Sequence, residues 1–134
     1  MLVRADQVSS SPDYSPLVVD HFDQPRNVGR LEPAPDVITA RAGKREQGTQ
    51  FVVSARIAGN RIAVARFEVY GCPHCIAAAS WLSERLVGGA LTDLETWSWR
   101  DAVAALQIPP EKRGRFLILE DALRALAEAW RRQS

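Results

Sequence analysis

From Phe51 to Tyr70 the sequence dictates its own pairing. Phe51, Val53, Ala55 and Ile57 alternate with polar or small residues, the period-two pattern of a strand buried on one face. The stretch "AGNR" reads as a turn and "RIAVARFEVYG" as a second strand, so the two form a hairpin. Ile62 and Val64 give way to Phe67 and Val69 as the apolar set, and this change of phase predicts a bulge near Arg66. A hairpin here commits the chain to antiparallel pairing and sets it apart from thioredoxin-like domains, which are built on parallel connections.

Helical periods flank the hairpin. Ser15 as cap and Pro16 at the first helical position predict a short helix through about Phe22, ended by Pro25 and the turn "PRNVG". The following "EPAPDVITARAGKREQG" is loop with a strand at Val37 to Arg41. After the hairpin, Ile76 to Val87 carries Ile76, Ala79, Leu82 and Leu86 on one stripe, closed by Gly88 and Gly89. Ser98 caps a short helix to Leu106, with Asp101 three residues on. Trp97 and Trp99 beside it are read as core packing ahead of an exposed interface. A last helix places Phe116, Leu119, Leu123, Leu126 and Trp130 at spacings of three and four. The order helix, strands, helices implies an α+β domain with helices on one face of a small antiparallel sheet.

At 134 residues and 46% hydrophobic content, the chain can build one domain whose core needs no disulfides. A net charge of +1 gives no electrostatic reason to expect nucleic acid as a partner. No apolar run is long enough to span a bilayer. Met1 to Pro12 lacks the apolar core of a signal peptide and reads as a flexible lead-in, with the folded domain at residues 13–132. A cytoplasmic location follows as the expectation, where two cysteines are catalytic or metal-binding more often than structural.

Both cysteines lie in "YGCPHCIAAAS". Cys72 falls at the end of the second strand and Cys75 in the first turn of the next helix, where backbone N–H groups and the helix dipole stabilise a thiolate. A Cys-X-X-Cys at such a terminus is the arrangement of redox enzymes, and Pro-His between the cysteines resembles the disulfide oxidant DsbA. Cys72, His74 and Cys75 also make three metal donors, one short of the four that zinc and iron–sulfur sites use. The only other histidine is His21. Packing is a competing role for Cys75. His74 reads as a solvated residue or local hydrogen-bond partner ahead of a ligand.

Beyond these residues, the chain resembles the IscU/NifU-type iron–sulfur cluster assembly scaffolds from about Tyr14 to Trp130. "YSPLVVDHFDQPRNVG" is similar to the family's N-terminal helix and its Asn-Pro-Arg-Asn-Val-Gly turn, with Gln24 replacing the first Asn. "FEVYGCPHCIAAASWLSERLVGG" matches the strand that ends in Gly-Cys before an alanine- and serine-rich helix. "IPPEK", followed by "LEDALRAL", resembles the Leu-Pro-Pro-Val-Lys chaperone-recognition motif and the helix after it. The resemblance implies a three-stranded antiparallel sheet packed by helices. It implies a transient iron–sulfur cluster, or zinc, on three cysteines plus an aspartate or histidine. It also implies a cysteine desulfurase and an Hsp70-type chaperone as partners, the latter at Ile108, Pro109, Pro110 and Lys112.

Most of the implied ligands are missing. Gln47 and Thr49 stand where the Cys-Gly-Asp turn should be, and Gly114 and Arg115 where the final His-Cys should be. Cys72 alone survives; Cys75 and His74 are additions. Metal candidates are therefore Cys72, Cys75 and His74, with Glu46 as a carboxylate from the altered turn. Lys112, Arg113 and Arg115 are expected to make the neighbourhood basic and favour thiolates. Three readings follow: a divergent scaffold or sulfur acceptor acting through partners, a carrier more than a catalyst; a thiol–disulfide or persulfide-handling protein; and an interaction domain that has lost cluster chemistry.

Overall fold

The computed structural model describes residues 14–133; the lead-in read at Met1 to Pro12 lies outside them. Helix α1 spans Pro16–Asp23, and strands β1 Val37–Lys44, β2 Thr49–Ala58 and β3 Arg61–Tyr70 follow. Helices α2 Pro73–Leu86, α3 Asp93–Thr96, α4 Trp99–Leu106 and α5 Gly114–Gln133 complete the chain. Single 3-10 turns stand at Arg45–Gln47 and Pro110–Lys112. No helix among the described residues is long and apolar enough to cross a membrane.

The sheet is an antiparallel meander in the order β1-β2-β3. Phe51, Val53, Ala55 and Ile57 of β2 are all buried in the core with the helices, as the alternation requires. The register passes from Arg56 opposite Val64 to Ile57 opposite Ile62, so the bulge falls at Ala63 and not near Arg66. Ala65, not Val64, is the residue that turns inward after it; its small side chain hid the change of phase.

The core forms on one face. Phe116, Leu119, Leu123 and Leu126 are buried where α5 packs on β1 and β2, while α2 packs on β3 and α1. Four such side chains leaving water, at roughly 1.5–3 kcal/mol each, make α5 the main cover of the sheet. Trp97 and Trp99 are half-buried against this core, and Arg124 fixes their segment by donating to the carbonyls of Leu94 and Trp97, each at 2.7 Å.

Buried serines tie the N-terminal segment down. Ser15 caps α1, accepting from the Val18 N–H, and donates to the Leu106 carbonyl at 2.7 Å. In α2, Ser80 accepts the Arg26 N–H at 2.8 Å and Ser83 accepts from the Asn27 side-chain amide at 3.0 Å. The "PRNVG" turn is thereby held on α2, and its Asn27 and Gly29 pair with Phe67 on the free edge of β3. The serines of the alanine-rich helix are hydrogen-bond anchors, not merely small packing residues.

Strand β1 runs past the expected Arg41 to Lys44 because β2 offers pairing partners through Thr49, which overrides the weak strand propensity of Gly-Lys. Gly43 makes this possible. It sits at φ +85, and a Cβ there would collide with the Thr49 carbonyl oxygen. Gly43→Ala is expected to destabilise the protein by about 2–4 kcal/mol. A urea midpoint unchanged from wild type would refute this.

Candidate functional site

Strand β3 stops at Tyr70, and Gly71 leads into α2. Cys72 is the N-cap, with extended backbone at φ −79, ψ 171, and Pro73 takes the first helical position. The helix therefore starts three residues before Ile76, and Cys72, His74 and Cys75 all belong to its first turn. Ile76, expected inside, is only half-buried; Cys75, Ala78, Ala79 and Leu82 face the core.

The two thiols are free, with their sulfurs 3.7 Å apart. Cys72 is half-buried, whereas Cys75 is 0% exposed. Gly71 lets Cys75 sit beneath the junction: a Cβ at Gly71 would lie 3.0 Å from the Cys75 Cβ and 3.1 Å from its sulfur. The carbonyl of Gly48 lies 3.9 Å from the same point, so the Gln47–Thr49 turn abuts Gly71, the residue before Cys72. His74 is not solvated. It is 1% exposed, with its ring stacked on Tyr14 at 4.8 Å.

These surroundings drive the thiols apart. Cys72 is held far below the ordinary thiol range, at about 3. The largest cause is the hydrogen bond donated by the Cys75 thiol; the His74 hydrogen bond, the Cys75 backbone N–H and the Arg115 charge add to it against the opposing effect of burial. Cys75 moves the other way, because it holds the proton that Cys72 accepts and because it is buried. The result is a reachable thiolate backed by a protonated thiol.

Arg115 is the surviving part of the expected basic patch. One of its guanidinium nitrogens, Nη1, is buried without a hydrogen-bond partner among the described residues, and its charge acts on both cysteines. Arg113 turns instead to the Ile108 carbonyl. The other candidates lie on two further segments. Glu46 and Gln47 are exposed on the 3-10 turn, Thr49 is 3% exposed, and Gly114 and Arg115 open α5. Ile108 is a core residue at 2% exposure, which leaves Pro109, Pro110 and Lys112 as the accessible part of that segment.

Among the described residues, no three His, Cys, Asp or Glu side chains gather where they could hold a metal ion. An amide and a guanidinium stand where soft ligation needs thiolates, a hydroxyl stands where it needs a carboxylate, and one of the two thiols is buried and protonated. This donor set does not fit a four-ligand zinc or iron–sulfur centre. Sequence reasoning missed Tyr14, which carried no signal, and the close approach at Gly71, whose signal was the glycine itself before Cys72.

The site is thus a cysteine presented at the β3–α2 junction of an antiparallel α+β domain. The family model described as the NifU-like N-terminal domain matches residues 13–134. The IscU iron–sulfur cluster assembly scaffold protein of Azotobacter vinelandii is 34% identical over 114 residues, covering 84% of this chain and 89% of that protein. The IscU iron–sulfur cluster assembly protein of Plasmodium falciparum is 31% identical over 120 residues, covering 89% of this chain and 74% of that one. Among solved structures, a NifU-like N-terminal protein from Brucella abortus superposes with a TM-score of 0.58 at 18% identity, covering 90% of this chain and 94% of that one. A proposed SUF-system scaffold from Fervidobacterium islandicum gives 0.67 at 15% identity, over 88% and 98%. The chain belongs to the NifU-like N-terminal domain family.

Proposed function

We propose that this chain serves iron–sulfur cluster assembly as a sulfur acceptor, taking sulfane sulfur from a cysteine desulfurase onto Cys72. The Cys72 thiolate attacks the outer sulfur of the desulfurase persulfide, that S–S bond breaks, and the desulfurase cysteine leaves as a thiolate. The observation that carries the reading is the reachable Cys72 thiolate, set between a buried thiol at 3.7 Å and a guanidinium. Nucleophilic attack needs the thiolate, and the Arg115 charge favours an anionic sulfur at this place. The relatives named as cluster assembly proteins supply the setting. A free thiol pair also suits a reducing compartment such as the cytoplasm. The exposed Pro110, flanked by the half-buried Pro109 and Lys112, is our candidate for a chaperone contact.

The test is transfer from a desulfurase and L-cysteine without oxygen, read by mass spectrometry of peptides under non-reducing conditions. In Cys75→Ser, Cys72 is expected to gain one sulfur atom; in Cys72→Ser, no cysteine gains any. A Cys75→Ser protein that folds and stays unmodified rejects the acceptor reading.

A further inference from the structure

We infer that Cys75 resolves the persulfide formed on Cys72, releasing sulfide and leaving a Cys72–Cys75 disulfide. The inference rests on the acceptor reading and goes beyond it: the site converts sulfane sulfur to sulfide instead of only storing it.

The placement of Cys75 argues for this. At 0% exposure it is closed to solvent, to bulk thiols and to the persulfide of a partner enzyme. Its sulfur faces the Cys72 sulfur at 3.7 Å. Formation of the disulfide needs that distance to close to about 2.05 Å, a movement of side-chain torsions within one helical turn. Gly71, lacking a Cβ, leaves room for the Cys75 sulfur at the junction. A residue serving only as core filler has no need of a thiol in contact with the acceptor.

The chemistry balances. A persulfide on Cys72 has an inner sulfur, the original Sγ, and an outer sulfur. Cys72 is the more exposed partner and Cys75 the buried one, so the inner sulfur lies nearer Cys75 and the outer one extends toward solvent. The ionised outer sulfur of the persulfide takes the Cys75 proton as the Cys75 sulfur attacks the inner sulfur, the Cys72 S–S bond breaks, and the outer sulfur leaves as HS⁻. The sulfane sulfur gains two electrons, and the two cysteines lose them in forming the disulfide. A dithiol reductant of the thioredoxin class then restores both thiols by thiol–disulfide exchange.

The deciding experiment uses the full chain with a desulfurase and L-cysteine, anaerobic and without added thiol. Wild type is expected to release one sulfide per chain above the desulfurase-only background and to end as the Cys72–Cys75 disulfide. Addition of a thioredoxin-type dithiol should convert this single turnover into continuous release. Cys75→Ser and Cys75→Ala, two small replacements that guard against a folding defect in either, should hold the persulfide on Cys72 and release sulfide at background. A wild-type persulfide that persists on Cys72, or migrates to Cys75 without sulfide, overturns the inference and leaves the acceptor reading standing. Absence of sulfur on Cys72 in both folded Cys75 variants removes the acceptor reading and this step with it.

Discussion

Cys72 is expected to alkylate with iodoacetamide at a nearly level rate from about pH 5 to about pH 8, while Cys75 stays unlabelled until the protein is unfolded. An ordinary thiol, with a pKa near 8.5, slows by roughly 10³-fold over that range because its thiolate fraction collapses. Cys72 keeps its charge because its value lies at about 3. The absolute rate should be modest, since nucleophilicity falls with basicity with a coefficient of about 0.4–0.5. The diagnostic is thus the flat profile, not a fast rate. Two variants locate the cause. His74→Phe keeps an aromatic ring against Tyr14 but removes the hydrogen bond, and Arg115→Ala removes the charge; each should raise the pH at which reactivity is lost. A rate that falls tenfold per pH unit below about pH 8 in wild type would sink the thiolate assignment.

The same displacement has a sign in stability. The folded value of Cys72 lies below its ordinary value, so its contribution is present above that value and is lost as pH falls toward about 3. Cys75, raised by the Cys72 hydrogen bond and by burial, contributes below its ordinary value and loses that contribution as pH rises. Stabilising the reduced Cys72 thiolate also makes a disulfide between the two easier to reduce, as turnover through a dithiol requires.

The fold was legible because its signals are redundant. Alternation in β2, the short turn and the stripe of α5 each point to an antiparallel sheet covered on one face. Errors arise where a weak side chain carries a strong structural decision. Ala65, too small to register as a core residue, displaced the bulge; Cys-Pro-His-Cys, poor in helix formers, hid the true start of α2. The cap rule that identified Ser15 and Pro16 applies equally to Cys72 and Pro73, so that signal was available.

The site was legible only in part. Arg115 could be assigned to the cysteines by resemblance, but the direction of Arg113 depends on side-chain torsions that no spacing reveals. The burial of His74 depends on Tyr14, distant in the chain, and that of Ile108 on its packing among the helices. Composition and motif fix which groups are near one another; solvent exposure and aim come from tertiary packing.

Gln47→Cys/Thr49→Asp/Arg115→Cys is expected to give this protein a complete set of cluster donors. The positions for the missing ligands still converge: the Gln47–Thr49 turn abuts Gly71 next to Cys72, and Arg115 acts on both thiols. The three substitutions would add two thiols and a carboxylate beside Cys72, completing the three-thiolate-plus-carboxylate set that the family resemblance implies and that soft iron–sulfur ligation needs. The carboxylate brought in by Thr49→Asp would enter a position only 3% exposed, so the metal-free variant should lose several kcal/mol from its burial. Metal binding should restore that loss, because a site occupied only in the folded state links binding to folding. After anaerobic reconstitution with iron and sulfide, the triple variant should be coloured and wild type at least about tenfold paler. Zinc should raise the melting temperature of the variant and leave wild type nearly unchanged. A folded variant that remains colourless and indifferent to zinc would show that these positions meet without ligand geometry. A wild-type protein that itself takes up a cluster lost in Cys72→Ser would show that the two thiols already suffice, against the reading of the site as an acceptor without a cluster.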